Sequence, residues 1–175
     1  MNKLRISILY SWFVRTITCF LPNHPIFMRL RGFLYSLMMR ECGCNFQVSS
    51  TVILNSLSGM RVGSNVYIAP NNVFITDDIY IEDNVILGPG GVYSSGDHQF
   101  DGESFRWLPS KSKGSLIIKQ GSWVAANCTI TTGAILPCES VLAAGSVLNR
   151  PMHNDRKVYG GAPAKEIGEV KITSF

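Results

Sequence analysis

The chain has 175 residues, 46% of them hydrophobic and 16% charged, with a formal charge of +4. That length builds one domain with a substantial core, and that composition excludes bulk disorder. The charge is too mild, and too little concentrated in runs, for a nucleic-acid-binding protein, although it suits an anionic cofactor or an anionic membrane surface.

The N-terminus, MNKLRISILYSWFVRTITCFLP, has a basic start and an apolar run. Arg15 interrupts that run and no small-x-small cleavage site follows, which argues against a signal peptide. A transmembrane helix needs about 20 apolar residues, more than this run supplies. Residues 4–20 and 25–40 read as helices split by Leu21-Pro22-Asn23-His24-Pro25. Their aromatics, among them Trp12, Phe13 and Phe33, lie beside Arg5, Arg15, Arg29 and Arg40. Such a segment fits a cap over the body of the protein or a helix on a membrane surface, because both uses need the same apolar face. Both readings stay open for residues 1–41.

From residue 42 the sequence repeats. Ile118, Val124, Ile130, Leu136, Leu142 and Leu148 are aliphatic and six apart. Four residues after the first five come Ser122, Cys128, Ala134, Ser140 and Ser146, all small. The same phase recurs upstream, with small slips, in Cys42, Val48 and Leu54, in Val62, Ile68 and Phe74, and in Ile81, Leu87 and Tyr93. A helix places its apolar residues three or four apart and a simple strand two apart, so neither explains a period of six. A fixed period signals a solenoid. Six residues make one short strand and a turn, and three such units close one triangular coil. The aliphatic points inward onto its counterpart in the next coil, and the small residue fits the corner. Sets of three predict an all-β solenoid of about five coils over 42–150, a parallel β-helix.

The gap from Tyr93 to Ile118 is too long for a corner, so residues 94–115, SSGDHQFDGESFRWLPSKSKGS, leave the prism as an excursion loop. Long loops in compact domains are usually functional. The segment 151–175 has lost the hexad and contains GGAPAKEIGEV. The five cysteines fit no zinc or disulfide spacing and read as small core-filling thiols, with no metal site.

The hexads, the excursion loop with His98 and the closing Gly160-Gly161-Ala162-Pro163-Ala164-Lys165 together resemble the hexapeptide-repeat acyltransferases, over roughly residues 42–167. That family includes maltose, galactoside and antibiotic acetyltransferases and the O-acetyltransferases of surface polysaccharides. The resemblance implies a left-handed β-helix, a homotrimer with sites between adjacent prisms, and acetyl-CoA as co-substrate without a metal. It implies a sugar hydroxyl as acceptor, in bacterial surface polysaccharide synthesis. An amino sugar or antibiotic nitrogen, and a non-catalytic scaffold, are the alternatives. The helical N-terminus is similar to that of the polysaccharide-modifying members; the expected place of work is the cytoplasm, and a peripheral contact of residues 1–40 with the inner face of the plasma membrane stays open beside the cap.

Transfer of an acetyl group from a thioester to a hydroxyl requires a base for the hydroxyl proton, donors for the oxyanion and a cradle for the cofactor. Of three histidines, His24 lies between prolines and suits a capping role, and His153 reads as a solvated loop residue. His98 lies in the loop where the family keeps its catalytic histidine, which implies a general base. Its orienting partner is a nearby carboxylate, Asp97 first and Asp101 or Glu103 otherwise, or a backbone carbonyl. In the family the pantetheine arm follows the groove beside the last coils. Ala125, Ala143, Ala144 and Gly145 offer a small-residue surface there, although solenoid turns favour small residues in any case. Lys165 matches the family position at the nucleotide end, and Arg150 follows the last hexad; both suit phosphate. Asn72, Tyr93, Arg106 and Trp107 are the candidates for the acceptor side.

Overall fold

The computed structural model describes residues 3–76, 78–96, 98–109 and 114–171. Two helices, α1 (Lys3–Thr18) and α2 (Pro25–Ser36), precede a parallel β-solenoid. The first coil is β1 (Glu41–Cys42), β2 (Gln47–Val48) and β3 (Ile53–Leu54), and the second is β4 (Met60–Val62), β5 (Tyr67–Ile68) and β6 (Val73–Ile75). The third is β7 (Ile79–Ile81), β8 (Ile86–Leu87) and β9 (Val92–Ser94). A hairpin of β10 (His98–Phe100) and β11 (Phe105–Pro109) then leaves the solenoid. The chain returns for a fourth coil, β12 (Leu116–Ile118), β13 (Trp123–Val124) and β14 (Thr129–Thr131), and a fifth, β15 (Ile135–Leu136), β16 (Val141–Leu142) and β17 (Val147–Leu148). It ends in β18 (Lys157–Gly160) and β19 (Lys165–Glu169).

Corresponding strands of successive coils pair in parallel and build three faces. The first has the order β1-β4-β7-β12-β15, the second β2-β5-β8-β13-β16-β18 with β19 antiparallel at its end, and the third β3-β6-β9-β14-β17. The register aligns the inward residues predicted from the hexads. Cys42, Val62, Ile81, Ile118 and Leu136 stack on the first face. Val48, Ile68, Leu87, Val124 and Leu142 stack on the second, and Leu54, Phe74, Tyr93, Ile130 and Leu148 on the third. All but Cys42 are buried. Burial pushes even the partly covered Cys42 thiol up to about 11. A column of aliphatics removes apolar area from water only when coils stack, so the coils stabilise one another rather than themselves.

The turns follow a second rule, which the hexad reading did not include. The third residue after the inward residue of the first face has positive φ in every coil: Asn45 (55°), Asn65 (57°), Asn84 (57°), Gly121 (71°) and Glu139 (52°). Asparagine and glycine tolerate this left-handed region best, and here they occupy most of it. The asparagines also form a ladder, with Asn45 Nδ2 donating to Asn65 Oδ1 at 3.0 Å and Asn65 Nδ2 to Asn84 Oδ1 at 3.1 Å.

Three expectations change. The solenoid does not stop at residue 150: Pro151 bridges to Ile135, and β18 pairs with β16 so that Tyr159 covers Leu142. This makes a partial sixth turn, hidden from the hexad because its inward residue is a tyrosine after an irregular approach. The second helix ends at Ser36 rather than running to residue 40, because Arg40 already donates its amide to Met60 O at 3.0 Å and joins the first coil. Two cysteines lie outside the core: Cys19 and Cys44 are exposed, whereas Cys128 is buried.

The helices cover the open end of the first coil. His24 caps α2, with Nδ1 accepting from the Ile26 amide at 3.4 Å, and Pro25 supplies the first turn. At Gly32 this helix comes so close that a Cβ would lie 2.0 Å from Phe46 O, so only glycine fits. Arg31 is buried in the joint. Its guanidinium donates to Val48 O at 2.5 Å, Leu21 O at 3.0 Å and Thr18 O at 3.3 Å, and burial lowers its pKa. Burial also pushes the neighbouring Tyr35 hydroxyl up to about 12, against the pull of Arg15 and Arg31.

Candidate active site

His98 is the first residue of the β10–β11 hairpin and is exposed. The hairpin replaces the corner between the third face of the third coil and the first face of the fourth. Both its roots are tied to the prism. Ser95 donates its amide to Ile75 O at 3.3 Å, and at the return Ser115 Oγ donates to Asp78 Oδ2 at 2.7 Å. The turn is closed by Asp101, whose Oδ1 accepts the amides of Ser104 at 2.9 Å and Glu103 at 3.1 Å. That ordinary Asx-type turn uses one oxygen of a carboxylate that the sequence offers as an orienter of His98. Phe100 and Phe105 pair on the arm with centroids 5.4 Å apart. Asp97 lies outside the described residues, as do the side chains of Arg106 and Trp107, whose backbones form part of β11.

A different edge carries the small residues. Between the second and third faces, Ala69, Gly88, Ala125, Ala143 and Gly160 occupy equivalent positions. Each of the first four donates its amide to the coil above, at 2.9, 2.7, 2.9 and 2.8 Å in turn. The packing is tight: a Cβ on Gly88 would lie 2.9 Å from Val124 O and from Ala125 C. The next positions outward are Ala126, Ala144 and the left-handed Gly145 (φ 71°), whose amide donates to Ala126 O at 2.9 Å. Ala144 and Gly145 are exposed, and the Cα of Gly145 faces open space. The structure therefore brings Ala125, Ala143, Ala144 and Gly145 together along one ridge.

Lys165 meets that ridge and Arg150 does not. Residues 161–164 turn over the end of the solenoid. Gly161 donates its amide to Ser146 Oγ at 3.1 Å, and the buried Ala164 donates to Val147 O at 2.8 Å. The register then sets Lys165 against Gly160, the residue that covers Ala143. Lys165 is exposed there. Arg150 is also exposed, but it follows β17 at the corner between the third and first faces.

Two acceptor-side candidates are internal. Tyr93 is fully buried and stacks on Phe74 at a centroid distance of 4.3 Å with rings 8° apart. Its hexad position, not a site role, accounts for it, and burial raises its pKa. Its hydroxyl is a buried polar atom without a hydrogen-bond partner. Asn72 is fully buried as well. It fastens the corner, donating to Ala69 O at 2.7 Å and Gly88 O at 2.9 Å and accepting from the Gly91 amide at 3.0 Å. Neither presents a side chain to an outside ligand. No group of three or more metal-ligating side chains occurs among the described residues.

A stacked triangular solenoid with one projecting arm is the architecture of a known class of proteins. No family model matches the chain. The galactoside O-acetyltransferase of Escherichia coli K12 is 28% identical over 150 residues, 85% of this chain and 72% of that protein. A hexapeptide-repeat-containing acetyltransferase of Vibrio cholerae, solved with acetyl-CoA, superposes with a TM-score of 0.80 at 22% identity, covering 96% of this chain and 89% of that one. A galactoside acetyltransferase solved with coenzyme A gives 0.77 at 22% identity, over 98% and 84%. These homologues match the hexapeptide-repeat acetyltransferase family that the sequence resembles.

Proposed function

We propose that the chain is an acetyl-CoA-dependent O-acetyltransferase acting on a sugar hydroxyl in bacterial surface polysaccharide synthesis. His98 acts as general base and removes the acceptor proton as the hydroxyl oxygen attacks the thioester carbonyl. The C–S bond then breaks and coenzyme A leaves. A nearby carboxylate, Asp97 first and Asp101 or Glu103 otherwise, or a backbone carbonyl orients the imidazole. Ala125, Ala143, Ala144 and Gly145 let the pantetheine arm run close to the main chain, and Lys165 meets the phosphates at the nucleotide end. Arg106 and Trp107, on the returning strand of the arm, serve the acceptor.

The observation that carries this reading is the coexistence of an exposed histidine on an arm and a ridge of small residues ending at a lysine. The arm leaves from the edge between the third and first faces and the ridge follows the edge between the second and third. That separation favours a homotrimer in which the arm of one chain reaches the ridge of its neighbour. An apolar column on the second face, Tyr67, Ile86 and Trp123, points outward in register and is 36, 50 and 48% exposed, which suits the contact between prisms. Arg150, at the arm's own edge of the prism, would meet phosphate only across such a contact. The place of work is the cytoplasm, with residues 1–40 towards the inner face of the plasma membrane.

Incubation with acetyl-CoA and a panel of sugars tests the reading. It predicts acceptor-dependent release of free thiol and an acetyl ester on the product. Transfer only to amino sugars would move the assignment to N-acetylation, and no transfer to any acceptor would favour the scaffold.

A further inference from the structure

The two N-terminal helices carry apolar residues on the side turned away from the solenoid. Helix α1 turns Ser7, Ser11, Val14 and Thr18 towards the solenoid, at intervals of four, three and four, and all are buried. Its opposite side carries Leu9 (57% exposed), Trp12 (58%), Phe13 (51%) and Ile17 (41%). Helix α2 does the same. It buries Met28, Arg31, Gly32 and Tyr35 and exposes Ile26 (64%), Leu30 (44%) and Phe33 (60%). A surface helix of a globular protein normally has the reverse arrangement. The inner face combines the buried Val14, Met28 and Tyr35 with polar links: Ser11 Oγ donates to Leu54 O, Ser7 and Ser56 hydroxyls meet at 3.3 Å, and Arg31 holds three carbonyls.

Charge is segregated on the same segment. Residues 1–40 contain six of the sixteen basic residues and none of the twelve acidic ones, which leaves ten bases against twelve acids in the rest. Lys3 and Arg5 are exposed beside the apolar side of α1. No helix among the described residues is long and apolar enough to cross a membrane. An apolar, aromatic face with cationic groups and no acid fits the headgroup boundary of an anionic bilayer, where rings enter the interface and cations meet lipid phosphates.

We infer that the outer face of the two helices docks the protein in the plane of an anionic lipid bilayer, while their inner face caps the first coil. Cap and membrane contact are thus two sides of one element. This deepens the membrane-proximal part of the proposed function but is read without turnover, so its failure leaves acetyl transfer untouched. A second copy seated on the same helices would set like charges against each other, which favours lipid over self-association.

The test is flotation of the full chain with vesicles of phosphatidylcholine alone and of an equal mixture with phosphatidylglycerol. The chain should float with the mixed vesicles, less with the neutral ones, and less again at high salt. The variant Trp12→Ser/Phe13→Ser/Phe33→Ser should keep the melting temperature and lose vesicle partition by about tenfold or more. Lys3→Gln/Arg5→Gln should lose the preference for the anionic vesicles. The inference is overturned if the wild type stays out of the mixed vesicles, or if the triple variant floats as well as the wild type. It is also overturned if light scattering shows the triple variant with a lower oligomer mass, since a second copy would then cover the face.

Discussion

The coils and the segments that interrupt them obey different rules. In the coils every sixth residue faces a dry column, and each position is constrained by the coil below and the coil above. The helices, the arm and the closing hairpin lie outside that repeat, and they carry most of the exposed aromatics, with His98 and Lys165. The difference teaches that the repeat dictates what faces inward, whereas the interruptions are free to place polar and aromatic side chains outward, among them the proposed base His98 and the proposed phosphate partner Lys165.

The sharpest way to break that comparison is Leu142→Asp. Leu142 is fully buried between Val124 and Tyr159. A carboxylate there has no partner, and a loss of about 4 kcal/mol or more is expected, enough to unfold the chain in a thermal melt. Glu139→Lys, on an exposed turn of the same coil, forfeits the ion pair with Arg156 and should cost about 1 kcal/mol or less. Equal melting of the two would refute the assignment of inward positions.

His98→Ala should show the opposite profile. Turnover is expected to fall by about 10²–10⁴-fold with the melting temperature unchanged, because the side chain lies on an exposed arm. Arg31→Ala tests a place where an interruption is buried like a core. Three backbone carbonyls lose their donor, so a cost of about 3 kcal/mol is expected by chemical denaturation. Exposed Phe33, two residues away, should tolerate serine within about 0.5 kcal/mol. Lys165→Ala should raise KM for acetyl-CoA more than it lowers kcat, as loss of a remote phosphate contact does. A purely catalytic defect in steady-state kinetics would remove Lys165 from the cofactor site.

The sequence made the stacked columns legible because stacking forces the same residue class at the same place in every coil. The left-handed turn positions are equally readable, since Asn45, Asn65 and Asn84 recur three residues after Cys42, Val62 and Ile81. Tyr93 fits two readings in the sequence, an inward residue and an acceptor contact, and its complete burial in the third-face column agrees with the first. Asn72 carried no such warning, because a polar side chain beside a proline corner looks the same whether it fastens the corner or meets a ligand. The orientation of the helices was hidden for a physical reason. Periodicity gives an apolar side but not what lies against it, and here small hydroxyls and a buried arginine join Val14, Met28 and Tyr35 on the inner side while other apolar residues face outward. The hairpin in the excursion was hidden too, since its Gly, Asp and Ser residues signal loop more strongly than its short strands signal pairing.

The central claim is that an arm from one chain and a ridge from its neighbour form each site. Co-expression of two inactive chains under different tags tests it directly. One carries His98→Ala, and the other carries Ala144→Trp to fill the exposed ridge. Mixed trimers purified through both tags should recover about a third of the wild-type activity, since every mixed ring with a heterologous interface holds one intact arm against one intact ridge among its three sites. Mixed trimers as inactive as either parent would show that one chain supplies both parts, and the account of the site would be wrong.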